Sequence, residues 1–197
     1  MTSRLINFVL DFHNKLIVRR GIGNATDFSE KGQLTRFKTV LSYIAKDGEP
    51  ATILDCGCGV GDFYPLMRHH NAQLAYTGID VNPAFVQELN RRYGEKAFVG
   101  NASKSCTKLR HYDYVVLSGV LNYAQTDARK LLACLWPHCT RRLIANFLAQ
   151  TPHNRSLRHL QTYSIEDILA IAHSLHDRFI LDHAYLDNDT TLILCRQ

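Results

Sequence analysis

The sequence predicts an α/β fold, a three-layer sandwich around a mostly parallel sheet. Three observations carry this expectation. After Pro50, short apolar runs alternate with helical stretches. The runs VVL and LIA are continuously hydrophobic, as strands buried on both faces are. A glycine-rich turn, Gly57-Cys58-Gly59-Val60-Gly61, stands where the first strand meets the first helix of that alternation. Strands alternating with helices imply right-handed crossovers and a parallel sheet covered on both faces.

The elements follow in order. Leu5, Phe8, Val9, Phe12 and Leu16 recur at helical spacing, so a helix is expected over 3–19. A transit peptide can share this pattern, but Asp11 counts against import, and a helix that packs on the core is preferred. Residues 21–32 are polar and glycine-bearing, hence a loop. A second helix is expected over 33–46, with Leu34, Phe37, Val40, Leu41 and Ile44 on one stripe. It stops before Gly48 and Pro50. Strands are expected at 52–56, 74–79, 97–99, 113–118 and 142–148. Helices are expected at 61–70, 83–93, 127–136 and 164–175. The tail, 179–186 and 190–196, reads as two strands joined by a tight polar turn, an antiparallel hairpin. The expected organisation is one domain over 1–197, with residues 1–50 a helical cap and 51–197 the core.

Composition bounds the rest. The chain has 197 residues, 46% hydrophobic and 21% charged, ordinary values for a packed domain. No apolar run approaches the roughly 20 residues of a membrane span. The net charge is +5, and residues 101–150 are basic through Lys104, Lys108, Arg110, Arg129, Lys130, Arg141 and Arg142. A solvated face is the preferred reading of these, ahead of an anionic partner. The six cysteines have no zinc-finger spacing, and free thiols in a reducing cytoplasm are expected.

The chemistry concentrates in Asp55-Cys56-Gly57-Cys58-Gly59-Val60-Gly61-Asp62. Such a turn lets a ligand touch backbone, with helix N–H groups facing it. Asp80 ends the second strand, where an acidic residue can accept from both ribose hydroxyls. A dinucleotide would set its pyrophosphate against this turn, yet Asp55 and Asp62 flank it and would repel the phosphates by a few kcal/mol. S-adenosylmethionine carries an ammonium and a sulfonium, which an acidic mouth suits. The spacing is also G-x-G-x-G, not the G-x-G-x-x-G of nicotinamide dinucleotides.

ILDCGCGVGDF, YTGIDVNP and DYVVLSGVLNY resemble the class I S-adenosylmethionine-dependent methyltransferases over about residues 33–197. The resemblance implies a seven-stranded sheet whose antiparallel final strand is inserted between two others. It implies that Asp55, Gly57 and Gly59 surround the methionine part of S-adenosylmethionine, with Cys58 a small filler of the same cofactor-binding turn. Asp80 would hold the ribose and Val81 pack on the adenine. The family usually offers an acidic residue to the adenine amine after strand three. Here Gly100-Asn101-Ala102 stands there, and the Asn101 amide oxygen would accept in its place, with Ala102 beside it. Ser118 and Gly119 would lie beside the methyl donor. Arg36 could pair with the methionine carboxylate.

Candidate catalytic residues lie in loops after strands four and five, because those loops face the crevice. Tyr123 is expected to line the pocket, and His153 or His159 to act as base, with Arg155 or Arg158 for an anionic acceptor. The chain lacks the Asn/Asp-Pro-Pro-aromatic stretch of base-amine methyltransferases and the Pro-Cys loop of cytosine C5 enzymes. The expected activity is methyl transfer to a small-molecule O, N or C acceptor, in the cytoplasm. A nucleic-acid or protein substrate bound by the 101–142 basic patch, and a non-catalytic binding module, are the alternatives.

Overall fold

A computed structural model of the chain describes residues 3–24, 29–45, 49–123, 126–155 and 160–196. Two helices come first, α1 (Ser3–Arg20) and α2 (Glu30–Ser42). Then follow β1 (Ala51–Cys56), α3 (Phe63–His70), β2 (Leu74–Asp80), α4 (Pro83–Tyr93), β3 (Ala97–Val99), α5 (Ala102–Ser105), β4 (Tyr112–Leu117), α6 (Ala128–Leu135), β5 (Cys139–Leu148), α7 (Pro152–Arg155), α8 (Ile165–His173), β6 (Phe179–Asp182) and β7 (Asp189–Cys195).

The strands form one sheet in the order β3-β2-β1-β4-β5-β7-β6. β7 is antiparallel to both of its neighbours, β5 and β6, and the remaining pairs are parallel. The chain steps outward from β1 through β2 to β3, then returns to the other side of β1 to lay down β4. The order therefore reverses between β1 and β4. In open α/β sheets the crevice at the carboxyl ends of such strands takes the ligand. Cys56-Gly57 and Leu117-Ser118 stand at those two ends.

Alternate strand residues feed two cores, as the two-residue side-chain period requires. Leu54, Val115, Leu143 and Phe147 pack with α6 and α8 on one face. Ile53, Val116, Ile144 and Ile193 pack with Phe37 and Val40 of α2 and Met67 of α3 on the other. Helix starts follow local chemistry: Ser29 Oγ accepts from Gly32 N at 3.2 Å, Asn82 Oδ1 from Ala84 N at 3.0 Å, and Ser164 with Asp167 forms a capping box.

Several boundaries move from their expected places. α2 begins three residues before the expected 33 because Ser29 caps it, and it ends at Ser42 rather than 46. The expected helix at 61 begins at Phe63, since Gly61 has φ of 86°, outside the helical region. β5 begins at Cys139, which pairs with Tyr112, rather than at 142. β6 stops at Asp182 instead of 186: the Asp182 carboxylate accepts from Ala184 N and turns the chain, so residues 183–188 form a longer connection than a tight turn. The short helices α5 and α7 carry no periodicity that a sequence pattern could show.

The cysteine expectation is corrected. Cys106 and Cys134 are disulfide-bonded, with Cα atoms 5.9 Å apart, while Cys56, Cys58, Cys139 and Cys195 are free. Packing of the 102–108 segment on α6 brings together two residues 28 positions apart in sequence. For that pair, the argument from free thiols to a reducing compartment loses its premise.

Candidate functional site

The glycine turn folds back over the end of β2. Gly57 N and Cys58 N both donate to the Ile79 carbonyl, at 2.7 and 3.2 Å, and Gly59 N donates to Asp80 Oδ2 at 2.9 Å. Gly57 has φ of 75° and no room for a side chain, because a Cβ there would stand 2.2 Å from Val120 Cγ2. Gly59 has φ of 55°, and a Cβ there would meet no protein atom within 4 Å. That open side is the floor of a pocket at the β1/β4 crevice.

The pocket is walled by Asp55, Gly57, Cys58 and Gly59 on the turn, Asp80 and Val81 after β2, Gly100 to Ser103 after β3, and Ser118, Gly119, Val120 and Tyr123 after β4. The two leading helices close it, with Val9 and His13 from α1 and Gln33, Arg36 and Phe37 from α2. The structure thus brings together Arg36, Asp55, Gly57, Cys58, Gly59, Asp80, Val81, Asn101, Ala102, Ser118 and Tyr123.

Two carboxyls set the electrostatics. Asp55 is buried, and the Tyr76 hydroxyl donates to its Oδ2 at 2.7 Å. Burial pushes Asp55 up to about 7; the Tyr76 bond opposes the shift and the nearby Asp80 charge adds to it. Burial also raises Asp80, against donation from the backbone N–H groups of Asn82 and Gly59 and the pull of His13. Cys58 is packed with its Sγ against Gly78, and burial with the charges of Asp55 and Asp80 holds its thiol protonated.

Other positions differ from their expected form. Asn101 is the N-cap of α5: its Oδ1 accepts from Ser103 N at 3.1 Å and Ser103 Oγ at 2.8 Å. A backbone donor fixes which end of the amide faces it, so the oxygen expected to accept from an adenine amine is already engaged. The buried Asn101 Nδ2 has no partner among the described residues, leaving a donor in the pocket wall. Arg36 is buried, and its Nη1 donates to Asp189 Oδ2 at 3.0 Å.

His153 does not line the pocket. In α7 it is the neighbouring Asn154 that is buried, its Nδ2 donating to the carbonyls of Ala149 and Asn188 at 2.9 and 3.3 Å, and this anchoring turns His153 to the surface. His159 and Arg158 lie outside the described residues. The histidine in the pocket wall is His13, whose Nε2 is 2.8 Å from the Tyr123 hydroxyl. Its signal was present in the sequence: His13 falls between Val9 and Leu16 on the buried stripe of α1.

Of the basic residues of 101–142, Arg110, Arg141 and Arg142 stand away from the pocket, while Lys104 and Lys130 adjoin its lining residues Ser103 and Leu131. Arg141 and Arg142 lie near the start of β5 and Arg110 just before β4, toward the sheet end opposite the glycine turn. Arg141 pairs with Asp113 and Glu49, and Arg142 donates to the Tyr43 carbonyl. Among the described residues, no helix is long and apolar enough to cross a membrane.

The pocket suits a nucleoside ligand with a cationic tail. It offers a strand-end carboxylate for a diol, a donor in Asn101 for a purine ring nitrogen, a bare glycine floor and a second carboxylate.

The comparisons agree with this fold. Residues 54–142 match a family model described as a methyltransferase domain. A protein of Mycobacterium tuberculosis named as a methyltransferase, Rv1506c, is 35% identical over 81 residues, covering 40% of this chain and 47% of that protein. The chain thus spans about half the length of the curated relative it matches. Magnesium protoporphyrin IX methyltransferase from Synechocystis, solved with S-adenosylhomocysteine, superposes with a TM-score of 0.74 at 18% identity, over 97% of this chain and 99% of that one. The plantazolicin methyltransferase BpumL superposes with a TM-score of 0.70 at 12% identity, over the whole of both chains. At these identities the likeness is one of fold.

Proposed function

We propose that the chain is a class I methyltransferase that transfers a methyl group from S-adenosylmethionine to a small-molecule O, N or C acceptor, a reading supported by its fold and by the methyltransferase domain matched over residues 54–142. The observation that carries this reading is the pairing of Asp55 and Asp80 around an open glycine floor at the sheet's switch point. Asp80 would hold the ribose diol, and Asp55 with the turn would face the cationic methionine end. Asn101 Nδ2 would donate to an adenine ring nitrogen, and Val81 would pack on the base. Ser118 would lie beside the reacting methyl, and Arg36 would reach the methionine carboxylate.

S-adenosylmethionine supplies an electrophilic methyl, so the protein's own work is alignment, worth up to about 7–11 kcal/mol in well-oriented systems. A small acceptor fits the remaining wall, where Val9, Phe37, Phe85 and Tyr123 are mainly apolar. The two structural neighbours named above act, by their names, on a porphyrin and on a natural-product peptide, acceptors of that scale. The cytoplasm and a single-domain organisation with residues 1–50 as cap are retained within this proposal.

Calorimetric titration with S-adenosylmethionine tests the reading, and its pH dependence is specific. Free Asp55 is held protonated up to about pH 7, whereas a cationic ligand prefers its carboxylate. Affinity should therefore fall toward tenfold per unit as pH drops from 7 to 5.5, with proton release on binding near pH 6. Stability of the ligand-free protein has the opposite sign: the contribution of Asp55 is full below the unfolded value near 3.9 and is lost as pH rises through 7. A dissociation constant flat from pH 5.5 to 7 would remove Asp55 from the cationic end of the site. Absence of binding heat throughout would remove the cofactor altogether.

A further inference from the structure

Resting on the methyltransferase reading, we propose that Tyr123 and His13 form the proton-accepting pair of the transfer step, Tyr123 Oη meeting the acceptor's nucleophilic atom and His13 acting through it. The acceptor this pair serves is one whose nucleophile carries a proton to be lost, such as a hydroxyl, phenol or N–H group, not a carboxylate.

The two side chains come from segments 110 positions apart in sequence. Tyr123 follows β4, after the Ser118-Gly119 segment at the crevice, and His13 descends from α1. Both line the pocket, and their hydrogen-bonding atoms stand 2.8 Å apart. His13 is 7% exposed and held edge-on to the rings of Phe12, Phe85 and Tyr123, so its orientation is fixed by packing. The titratable groups acting on this imidazole include the Tyr123 phenol from the loop after β4 and the Asp80 carboxylate from the end of β2, and α4 contributes the Phe85 ring. His13 is a positioning residue in this arrangement, and Tyr123 the one that touches the acceptor.

The step balances in atoms and charge. The acceptor lone pair forms the new bond to the methyl carbon as the carbon–sulfur bond breaks and its electron pair stays on sulfur. The acceptor's proton passes to Tyr123 Oη while the phenol proton passes to His13 Nε2. The pocket loses the sulfonium charge and gains an imidazolium charge. Its net charge is unchanged, so Asp80 faces one cation before the step and one after it.

The bookkeeping of that charge can be read without knowing the acceptor. His13 is followed by NMR of the ¹³C,¹⁵N-labelled chain saturated with S-adenosylmethionine or with S-adenosylhomocysteine. The resonance is assigned by its loss in His13→Gln, or by its selective shift in Tyr123→Phe if His13→Gln fails to fold. The expected midpoint of His13 protonation is about one pH unit higher with S-adenosylhomocysteine, whose sulfur is neutral, and it falls in Tyr123→Phe, where no phenol oxygen is left to accept from the imidazolium. A His13 that takes no part in the transfer shows no change of protonation between the two complexes from pH 5 to 9. That outcome, or coincident midpoints, overturns the pair while leaving the methyltransferase reading intact. Failure of both ligands to bind overturns the two together.

Discussion

Replacing Asp80 with alanine is expected to weaken S-adenosylmethionine binding by about 10²–10⁴-fold. The magnitude follows from two charge-assisted hydrogen bonds to a ribose diol. Each is worth about 1.5–3 kcal/mol, and each 1.4 kcal/mol is tenfold in affinity. The same carboxylate accepts from Gly59 N at 2.9 Å and Asn82 N at 2.8 Å, so its loss also leaves two backbone donors of the turn without their acceptor. Each orphaned donor costs about 1–3 kcal/mol where water cannot replace the partner. Asp80→Asn separates the two effects. Its amide oxygen can keep one backbone partner, while the charge and the second acceptor are lost, so its affinity should lie between wild type and Asp80→Ala with less cost in thermal stability. Calorimetry on protein with an unchanged near-UV spectrum checks this. An Asp80→Ala affinity within threefold of wild type would mean the ribose is held elsewhere.

What the sequence showed and what it hid divide along physical lines. The strands and the glycine turn were legible because both are local. VVL and LIA are apolar without interruption since helices cover both faces of β4 and β5, and the turn needs glycine because Val120 closes the space a Cβ at Gly57 would take. Asp80 was legible because it follows that turn at the spacing of one βαβ step. Helix ends were read less well, because an apolar stripe marks the buried face and not the cap: Ser29 starts α2 in a segment that reads as loop.

The pairings across the fold were hidden. Nothing local joins Cys106 to Cys134, or His13 to Tyr123 110 positions away. Asn101 shows the finer limit. Its place in the site was readable, but the direction of its amide was not, since that depends on the Ser103 N–H that α5 presents to it. For His153 the position in a strand-end loop was suggestive, yet the buried neighbour Asn154 decides which side chain faces inward.

Arg36→Leu is expected to destabilise the protein by about 3–5 kcal/mol in denaturant unfolding, the usual cost of breaking a buried ion pair from one side. Arg36 and Asp189 side chains are 5% and 0% exposed, and they join α2 to the first residue of β7 across 153 positions. Burial already raises Asp189 above the ordinary carboxylate range although Arg36 draws it down, so removing the guanidinium leaves a carboxyl with strong reason to take up a proton. The double variant Arg36→Leu/Asp189→Leu should recover most of that stability, because an apolar pair of similar volume replaces a buried ion pair at little or no cost. Stability and ligand binding then come apart. If Arg36 also meets the methionine carboxylate, the double variant folds well and still binds S-adenosylmethionine at least tenfold more weakly than wild type, by the loss of one charge-assisted contact of about 1.5–3 kcal/mol. A double variant with wild-type affinity would make Arg36 the latch that holds α2 on the sheet and nothing more. A single variant costing less than about 1 kcal/mol would show that water reaches Asp189 once the arginine is gone.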